Sequence, residues 1–288
     1  MEAALHSIVA LGDDLRGLLQ LHFVDYLPYF LLYCCLSILV QHVLPALQPS
    51  LYDFLLAKRL SEGRLQPSAV AAARPELASG FRTSVVASVM ALHVSSVALY
   101  GLLSADTAAV LRHDFLAQTP LSRHLCLVAV AYFLWDLAFC WQDGPVFVVH
   151  GLACLAVFTG GMSPLFGRMA MVTLLFEAST PFLHARRILI DSGCTGSLWF
   201  HASNHLFGAT FFATRIAHGV WACAVWWVEV DAALASGALP PRMAPLARMF
   251  QALCFLLTGL NLFWFTFKIA PSYCAPSKAK AAKKVKGK

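Results

Sequence analysis

Charged side chains are scarce in this sequence. Asp, Glu, Lys and Arg together make up 12% of the 288 residues, whereas hydrophobic residues make up 59%. In soluble globular domains about a quarter of the residues are charged. This chain therefore has too little polar surface to cover a water-soluble fold, and its composition indicates an integral membrane protein.

Three local patterns are also missing. The N-terminus lacks the basic segment of a secretory signal peptide, because Glu2, Asp13 and Asp14 lie there, so we expect a membrane span to direct targeting. No internal repeat is visible, which argues against a transporter built from inverted halves. His150 has no second histidine at helical spacing, and the sequence therefore predicts neither a metal site nor any other cofactor.

Long apolar segments dominate what is present. Runs of about 20 apolar residues that are bounded by charges, proline or glycine predict membrane-spanning helices. The sequence therefore predicts an all-α fold, a polytopic transmembrane helix bundle of about seven spans. The predicted spans are residues 26–44, 83–103, 124–141, 145–159, 169–185, 205–228 and 249–268.

The distribution of Lys and Arg predicts the orientation. One set of alternate connections carries most of these residues, and the positive-inside rule places that set, together with the C-terminus, in the cytosol. We expect three parts along the chain. Residues 1–80 hold the first span and a basic cytosolic loop, residues 81–270 form a transmembrane domain, and residues 271–288 form a Lys-rich cytosolic tail.

The tail has a pattern that is typical of endoplasmic reticulum membrane proteins. Lys284 and Lys286 occupy the fifth and third positions from the end, which is the spacing of a cytosolic dilysine retrieval signal. A simpler interpretation is an anchor that is attracted to anionic lipid head groups. The expected localisation is a multi-pass protein of the endoplasmic reticulum with its C-terminus in the cytosol.

The loop after the first span contains a short amphipathic segment. Residues 51–60 place Tyr52, Leu55 and Leu56 near one helical face, with Lys58 and Arg59 beside them. This arrangement predicts a helix that lies on the cytosolic leaflet of the membrane.

Six polar side chains lie within the predicted spans, one on each of six helices. At 1.5 Å per residue, each lies roughly 10 to 15 Å from the cytosolic end of its helix. They are His93, Asp136, His150, Glu177, Arg215 and Asn261. Ionisable groups inside a membrane are costly and face the bundle interior. The six residues therefore predict one polar layer, and with it a chamber that opens toward the cytosol.

Two interpretations of this layer are open. In the structural one, Glu177 or Asp136 neutralises Arg215, and Asn261 bridges two helices. In the functional one, a lipid head group or a thioester meets His150, and nearby carboxylates orient its ring for a role as base or nucleophile. Arg215 then holds an anionic head group while Glu177 fixes the arginine side chain.

A series of short motifs runs through residues 81–269. In chain order these are Tyr132-x3-Asp136, Phe147-Val-Val-His150, Leu-Phe-Glu-Ala-Ser-Thr-Pro-Phe at 175–182, Arg215, and Asn261-x6-Lys268. The series resembles the TLC-domain family, which is named for ceramide synthases, translocating-chain-associated membrane proteins and their relatives. The chain is most similar to the small TLC-domain-containing membrane proteins. The resemblance implies a helix bundle of the TLC-domain type over residues 81–270.

The resemblance also bears on chemistry. Ceramide synthases join a fatty acyl group from acyl-CoA to the amine of a sphingoid base, and they carry two adjacent histidines. The first corresponds to His150 here, but the second is replaced by Gly151. If this chain is an enzyme, the resemblance implies that His150 and Asp136 are catalytic. Arg82, Arg186 and Arg187 would then suit the phosphates of coenzyme A at a basic entrance.

Three functions are therefore kept open. The first is a protein of lipid homeostasis that binds or senses a lipid in the chamber, with His93, Glu177, Arg215 and Asn261 as lipid-binding residues. The second is an acyl-CoA-dependent N-acyltransferase that works with one histidine. The third is an endoplasmic reticulum receptor for a cargo or partner protein. The expected partners are a membrane lipid and, for an enzyme, acyl-CoA; no nucleic acid is expected.

Overall fold

A computed structural model of the chain describes residues 16–17, 19–63, 65–104, 118–141, 144–162 and 167–274. Within these ranges the regular elements are helices and no strand occurs. By length and composition, four helical stretches could cross a membrane: Phe23–Leu47, Pro67–Leu103, Pro120–Phe139 and Pro241–Ile269. The prediction of an all-α transmembrane bundle is confirmed, and the number of spans stays a prediction.

The helices follow one another along the chain. They are α1 (Phe23–Ile38, extended by a π turn at Leu39–Val43 and a helical turn at Leu44–Leu47), α2 (Pro49–Ser61), α3 (Val70–Leu103), α4 (Pro120–Cys140), α5 (Pro145–Gly160), α6 (Gly167–Leu174), α7 (Thr180–Asp191), α8 (Leu198–Phe211), α9 (Gly219–Ala235), α10 (Ala244–Trp264) and α11 (Ala270–Cys274). A 3-10 segment, Leu175–Ser179, joins α6 to α7, and π turns join α8 to α9 (Phe212–His218) and α10 to α11 (Phe265–Ile269).

Two predicted spans are interrupted helices. The span at 169–185 consists of α6, the 3-10 segment and α7, and the span at 205–228 contains the π turn between α8 and α9. Pro181 lies in the first turn of α7. Because proline has no N–H group, it cannot donate to the Glu177 carbonyl as a regular α-helix requires. The Thr180 N–H donates to that carbonyl instead, so the helix restarts there.

Helix α4 lies at the centre of the bundle. It packs against α1, α3, α5 and α6, and residues 125–131 are all buried, as expected for a helix that is apolar on every side. A capping box fixes its start, since Thr119 and Ser122 each bond the other's backbone N–H. Trp135 Nε1 donates to Ser37 Oγ at 2.7 Å and ties α4 to α1.

The amphipathic segment after α1 forms helix α2, but its apolar face packs on protein. Tyr52, Leu55 and Leu56 are buried, and Tyr52 and Leu55 form a small core with Leu77 and Ala78 of α3. The apolar face therefore does not meet lipid as predicted, whereas the position of α2 at the cytosolic leaflet stays a prediction. The face is covered because α3 begins at Val70, well before the predicted span, and its first turns offer an apolar surface to α2.

Helix α5 begins directly after a glycine in the left-handed region. Gly144 has a φ of 118°, which L-amino acids with a side chain rarely adopt, and Pro145 follows in the first turn of α5. Helices α4 and α5 pack against each other. This packing places Asp136, near the end of α4, beside the first turns of α5, where His150 lies.

Several predictions concern residues outside the described ranges. These are the Lys-rich tail at 276–288 with Lys284 and Lys286, and the acidic N-terminus with Glu2, Asp13 and Asp14. The retrieval signal and the targeting interpretation stay predictions. The division into residues 1–80, 81–270 and 271–288 also stays a prediction.

The close contact between α5 and α10 gives a prediction for stability. A methyl group on Gly160 would overlap the ring of Phe250, which is fully buried and has no room to move. We expect Gly160→Ala to lower the free energy of unfolding by about 1–3 kcal/mol, because overpacking forces neighbours to shift. Thermal melting of the purified protein in detergent measures the effect.

Gly259→Ala is the matched control. Gly259 lies within α10 and a methyl group there would meet nothing within 4 Å, so we expect no loss of stability and a slight gain from helix propensity. Equal melting temperatures for the two variants would contradict the packing of Gly160 on Phe250.

Candidate functional site

A cavity of about 570 Å³ lies among α4, α5, α7, α8 and α10. Of the six polar residues predicted to share a layer, Asp136, His150, Glu177 and Arg215 line it. A smaller cavity of about 40 Å³ adjoins it at His150, Glu177 and Arg215 and adds Asn261. The structure thus brings five of the six predicted residues to one site.

His93 lies elsewhere. Its Nε2 is 3.1 Å from Nε2 of His124, and Nδ1 of His124 is 3.1 Å from the Tyr29 hydroxyl. These contacts join α3, α4 and α1, and His93 does not line either cavity. His124 lies in the first turns of α4, whereas Asp136 lies near the end of that helix. The common level that the sequence predicts for the six residues therefore does not hold for His93.

The residues of α8 that line the cavity recur on one face. They are Asn204, Phe207, Phe211 and, in the π turn that follows, Arg215. Residues three and four apart on a helix lie on the same side. The face therefore runs from a polar residue through two aromatic rings to a buried cation.

Helix α10 presents the same sequence of residue types in the opposite direction, with the polar residue buried and the cation exposed. Asn261, Trp264 and Lys268 are three and four residues apart and lie on one face, with Lys268 in the π turn. Asn261 is buried, whereas Lys268 is exposed. We call the exposed end of the cavity, lined by Arg186, Arg187 and Lys268, the mouth, and the buried end at Arg215 and Glu177 the inner end. Aromatic side chains lie between the two ends.

An ion pair occupies the inner end. Nη2 of Arg215 is 3.2 Å from Oε1 of Glu177, and the two side chains are only 8% and 13% exposed. The hydroxyl of Thr180 donates to the other carboxylate oxygen of Glu177 at 2.7 Å. Because the two charges cancel, this pair makes the inner end polar without a net charge.

Neighbouring groups engage most of the remaining N–H groups of Arg215. Its Nε donates to the Phe176 carbonyl at 3.0 Å and lies 3.3 Å from Ser179 Oγ, and Nη1 donates to Asn261 Oδ1 at 3.3 Å. A buried charge requires such partners to offset its desolvation. The geometry favours the structural interpretation, in which Glu177 neutralises Arg215 and Asn261 bridges to α10.

Irregular helical segments carry three of the charged residues. Glu177 lies in the 3-10 segment, Arg215 in the π turn after α8, and Lys268 in the π turn after α10. Such departures from the α-helix often occur at functional sites. Pro181 is a signal of the first departure in the sequence, whereas neither π turn has a comparable local signal.

Aromatic rings hold His150 at the junction of the two cavities. Its ring meets Trp264 and Phe133 edge-to-face, with centroids 5.4 Å and 6.2 Å away. Sγ of Cys154, one turn along α5, is 3.7 Å from Nε2. Asp136 lines the same cavity. A ring fixed in this way is suited to meeting a polar group of a ligand in the cavity.

The residue after His150 packs closely against α4. A methyl group on Gly151 would lie 3.0 Å from Cδ2 of Leu137 and 3.6 Å from Oδ2 of Asp136. A second histidine at this position would therefore displace Leu137 and approach the Asp136 carboxylate. The close packing of Gly151 against α4 is therefore consistent with a single histidine at this site.

Three cations line the mouth. Nε of Arg186 donates to Oδ1 of Asn204 at 2.8 Å, and Arg187 and Lys268 are exposed. No carboxylate among the described residues forms an ion pair with Arg186, Arg187 or Lys268. The mouth therefore carries three cations that form no ion pair with a described carboxylate.

Arg82, the third arginine expected at this entrance, lies outside the cavity. It is buried, its Nη1 donates to Gln41 Oε1 at 2.5 Å, and its Nη2 donates to the Phe139 carbonyl at 3.0 Å. Its side chain joins α3 to α1 and to the end of α4. It cannot serve as a cation of the mouth.

Several lining residues were not identified from the sequence as site residues. Asn204, Phe207, Trp264 and Lys268 complete the faces of α8 and α10. Asn204 and Phe207 precede Arg215 by eleven and eight residues, and Trp264 and Lys268 follow Asn261 by three and seven. This helical spacing was the signal that could have located them. Within the described part of the chain, no group of three or more His, Cys, Asp or Glu is arranged to hold a metal ion.

Comparisons with known proteins give one family. The family model of the TLC domain matches residues 80–270. An uncharacterized TLC domain-containing protein of Saccharomyces cerevisiae is 29% identical over 172 residues, which are 56% of this chain and 52% of that protein. One of Schizosaccharomyces pombe is 29% identical over 143 residues, 48% of this chain and 47% of that protein. The chain spans about half the length of these curated relatives. No solved structure matches it.

Proposed function

The chain belongs to the TLC-domain family, and we propose that this multi-pass membrane protein binds or senses a lipid in the cavity of about 570 Å³. The observation that carries the proposal is the order of the lining. A charged mouth and a polar but neutralised inner end are separated by the rings of Phe207, Phe211 and Trp264. Apolar pockets with a few well-placed polar groups are typical ligand sites.

The cellular role that we propose is lipid homeostasis in the endoplasmic reticulum. The excess of Lys and Arg in alternate connections favours a cytosolic C-terminus. Arg186, Arg187 and Lys268 belong to the same set of connections, so the mouth opens toward the cytosol in this orientation. A lipid enters the cavity with its polar end at the cytosolic side.

Filling the cavity tests the proposal. Leu183 lines it and is 38% exposed, so a larger side chain at this position projects into the space that the lipid occupies. We expect Leu183→Trp to reduce the amount of lipid that co-purifies with the protein about tenfold, since overpacking of this kind costs about 1–3 kcal/mol and each 1.4 kcal/mol is a factor of about ten in affinity. Mass spectrometry of lipids extracted from purified protein measures the change.

Leu198→Trp is the control, because Leu198 is 79% exposed and does not line the cavity. We expect it to retain the lipid content of the unmodified protein. Equal lipid content in both variants would place the bound lipid on the outer surface of the bundle and contradict the proposal.

A second candidate is an acyl-CoA-dependent N-acyltransferase. The observation in its favour is that His150 lies at the junction of both cavities and that Asp136 lines the larger one. A histidine near a carboxylate is a suitable base or nucleophile. The third hypothesis, a receptor for a cargo or partner protein, rests on the tail at 276–288 and stays a prediction.

A further inference from the structure

We propose that the ligand of the cavity carries an anionic head group, and that Arg186, Arg187 and Lys268 bind this group at the mouth. The inference rests on the proposed lipid-binding function, because it names the class of ligand for the same cavity. It differs from the expectation drawn from the sequence, which assigned the head group to Arg215.

The distribution of charge separates the two ends of the cavity. At the inner end, Glu177 already neutralises Arg215, and other neighbours engage most of its donors. An anion placed there would meet the Glu177 carboxylate as well. At the mouth, the cations have no carboxylate in an ion pair among the residues that the structure describes. An anion is therefore attracted to the mouth rather than to the inner end.

One cation of the mouth is held in place before any ligand binds. Arg186 Nε donates to Asn204 Oδ1 at 2.8 Å, and its guanidinium carbon lies 5.8 Å from the centre of the Phe200 ring. The backbone carbonyl of Asn204 in turn accepts from the Tyr273 hydroxyl of α11. These contacts engage Nε, and no hydrogen bond from the two terminal nitrogens of Arg186 to another described residue is found, so both can donate to a carboxylate or phosphate oxygen. A preorganised donor loses less entropy on binding.

The π turn after α10 places a second cation in the lining of the same cavity. Lys268 lies on the same face of the helix as Trp264, and both line the cavity together with Arg187 of α7. Cations that served only to set the orientation of the chain would have no reason to converge on one opening. The cavity also contains a carboxylate, that of Asp136. Asp136 lies on α4 beside Gly151 of α5, whereas the mouth cations lie on α7 and in the π turn after α10.

A matched pair of ligands tests the inference. The full chain is reconstituted in phosphatidylcholine nanodiscs, and binding of oleoyl lysophosphatidic acid is compared with binding of 1-oleoylglycerol by native mass spectrometry. The two probes share the acyl chain and the glycerol, and only the first carries a phosphate. We expect the unmodified protein to prefer the phosphate-bearing probe by about tenfold, an advantage that should decrease as salt is raised.

The variant Arg187→Gln combined with Lys268→Gln removes two of the three mouth charges and retains Arg186. We expect it to lose most of the preference for the phosphate-bearing probe, while binding of 1-oleoylglycerol, which carries no phosphate, reports whether the cavity is still formed. Arg242→Gln, which removes a cation that does not line the cavity, should keep the preference. A double variant that also keeps the preference would overturn the inference. Failure of the unmodified protein to bind either probe would instead contradict the proposed lipid-binding function.

Inorganic phosphate distinguishes a lipid head group from a free anion. We expect millimolar phosphate to leave binding of the lysophosphatidic acid nearly unchanged, because the aromatic lining adds affinity only for a ligand with an apolar chain. Full displacement of the probe by inorganic phosphate would show a site for free phosphate and would overturn the assignment to a lipid.

Discussion

Replacing Arg215 by alanine is expected to lower the free energy of unfolding by about 3–5 kcal/mol, since a buried ion pair that loses one partner leaves an uncompensated charge. Glu177, which is 13% exposed, would remain without its cation. The Phe176 carbonyl and the Asn261 side chain would also lose a donor. Chemical denaturation and thermal melting in detergent measure the loss.

Removing both charges should be milder than removing one. The double variant Arg215→Ala with Glu177→Ala is expected to recover part of the lost stability, because neither charge is then left alone. Arg242→Ala serves as the control, since Arg242 has no part in the cavity. We also expect folded Arg215→Ala protein to retain the same set of co-purifying lipids. Loss of anionic lipids from that variant would contradict the structural role that we assign to Arg215.

The second large effect concerns catalysis. If the chain is an N-acyltransferase, His150→Ala is expected to decrease product formation by about 10² to 10⁴-fold, which is the usual contribution of a general acid or base. The assay uses membranes from cells that lack their own ceramide synthases and express this chain. Sphingoid base and acyl-CoA are added, and mass spectrometry detects the N-acyl product.

His93→Ala is a matched control for this experiment. His93 is the other histidine of the predicted layer, yet its ring meets His124 and lies outside both cavities. We expect this variant to retain any activity of the unmodified protein. Product that survives His150→Ala would eliminate the catalytic role of His150. Absence of product from well-expressed unmodified protein would favour lipid binding or sensing without catalysis.

Much of the site could be predicted from spacing along the chain. Asp136, His150, Glu177, Arg215 and Asn261 do converge, because a fixed rise per residue converts distance from a helix end into depth. His93 shows the limit of that argument. His93 contacts His124 at the start of α4, whereas Asp136 lies near the end of that helix. Distance along one helix does not specify how neighbouring helices are offset or in which direction a side chain points, and packing against α4 and α1 decides both.

The charge state of the inner end could not be derived in the same way. The sequence left open whether Glu177 or Asp136 neutralises Arg215, since both are plausible partners by depth alone. The choice depends on the 3-10 segment that carries Glu177 and the π turn that carries Arg215. A π turn takes up an additional residue and changes the direction of the side chains near it. Extrapolation along a regular α-helix therefore cannot select the pair.

The sequence by itself determined that this protein is helical, lies in a membrane and belongs to the TLC-domain family. Hydropathy and motif order are properties of the chain in one dimension, so they need no knowledge of packing. Only the tertiary structure decided that α2 packs on α3, that Arg215 is neutralised by Glu177, and that three cations without an ion pair to a described residue gather at the mouth. Each of these depends on which faces of different helices meet, and that is set by side-chain packing between segments far apart in the chain.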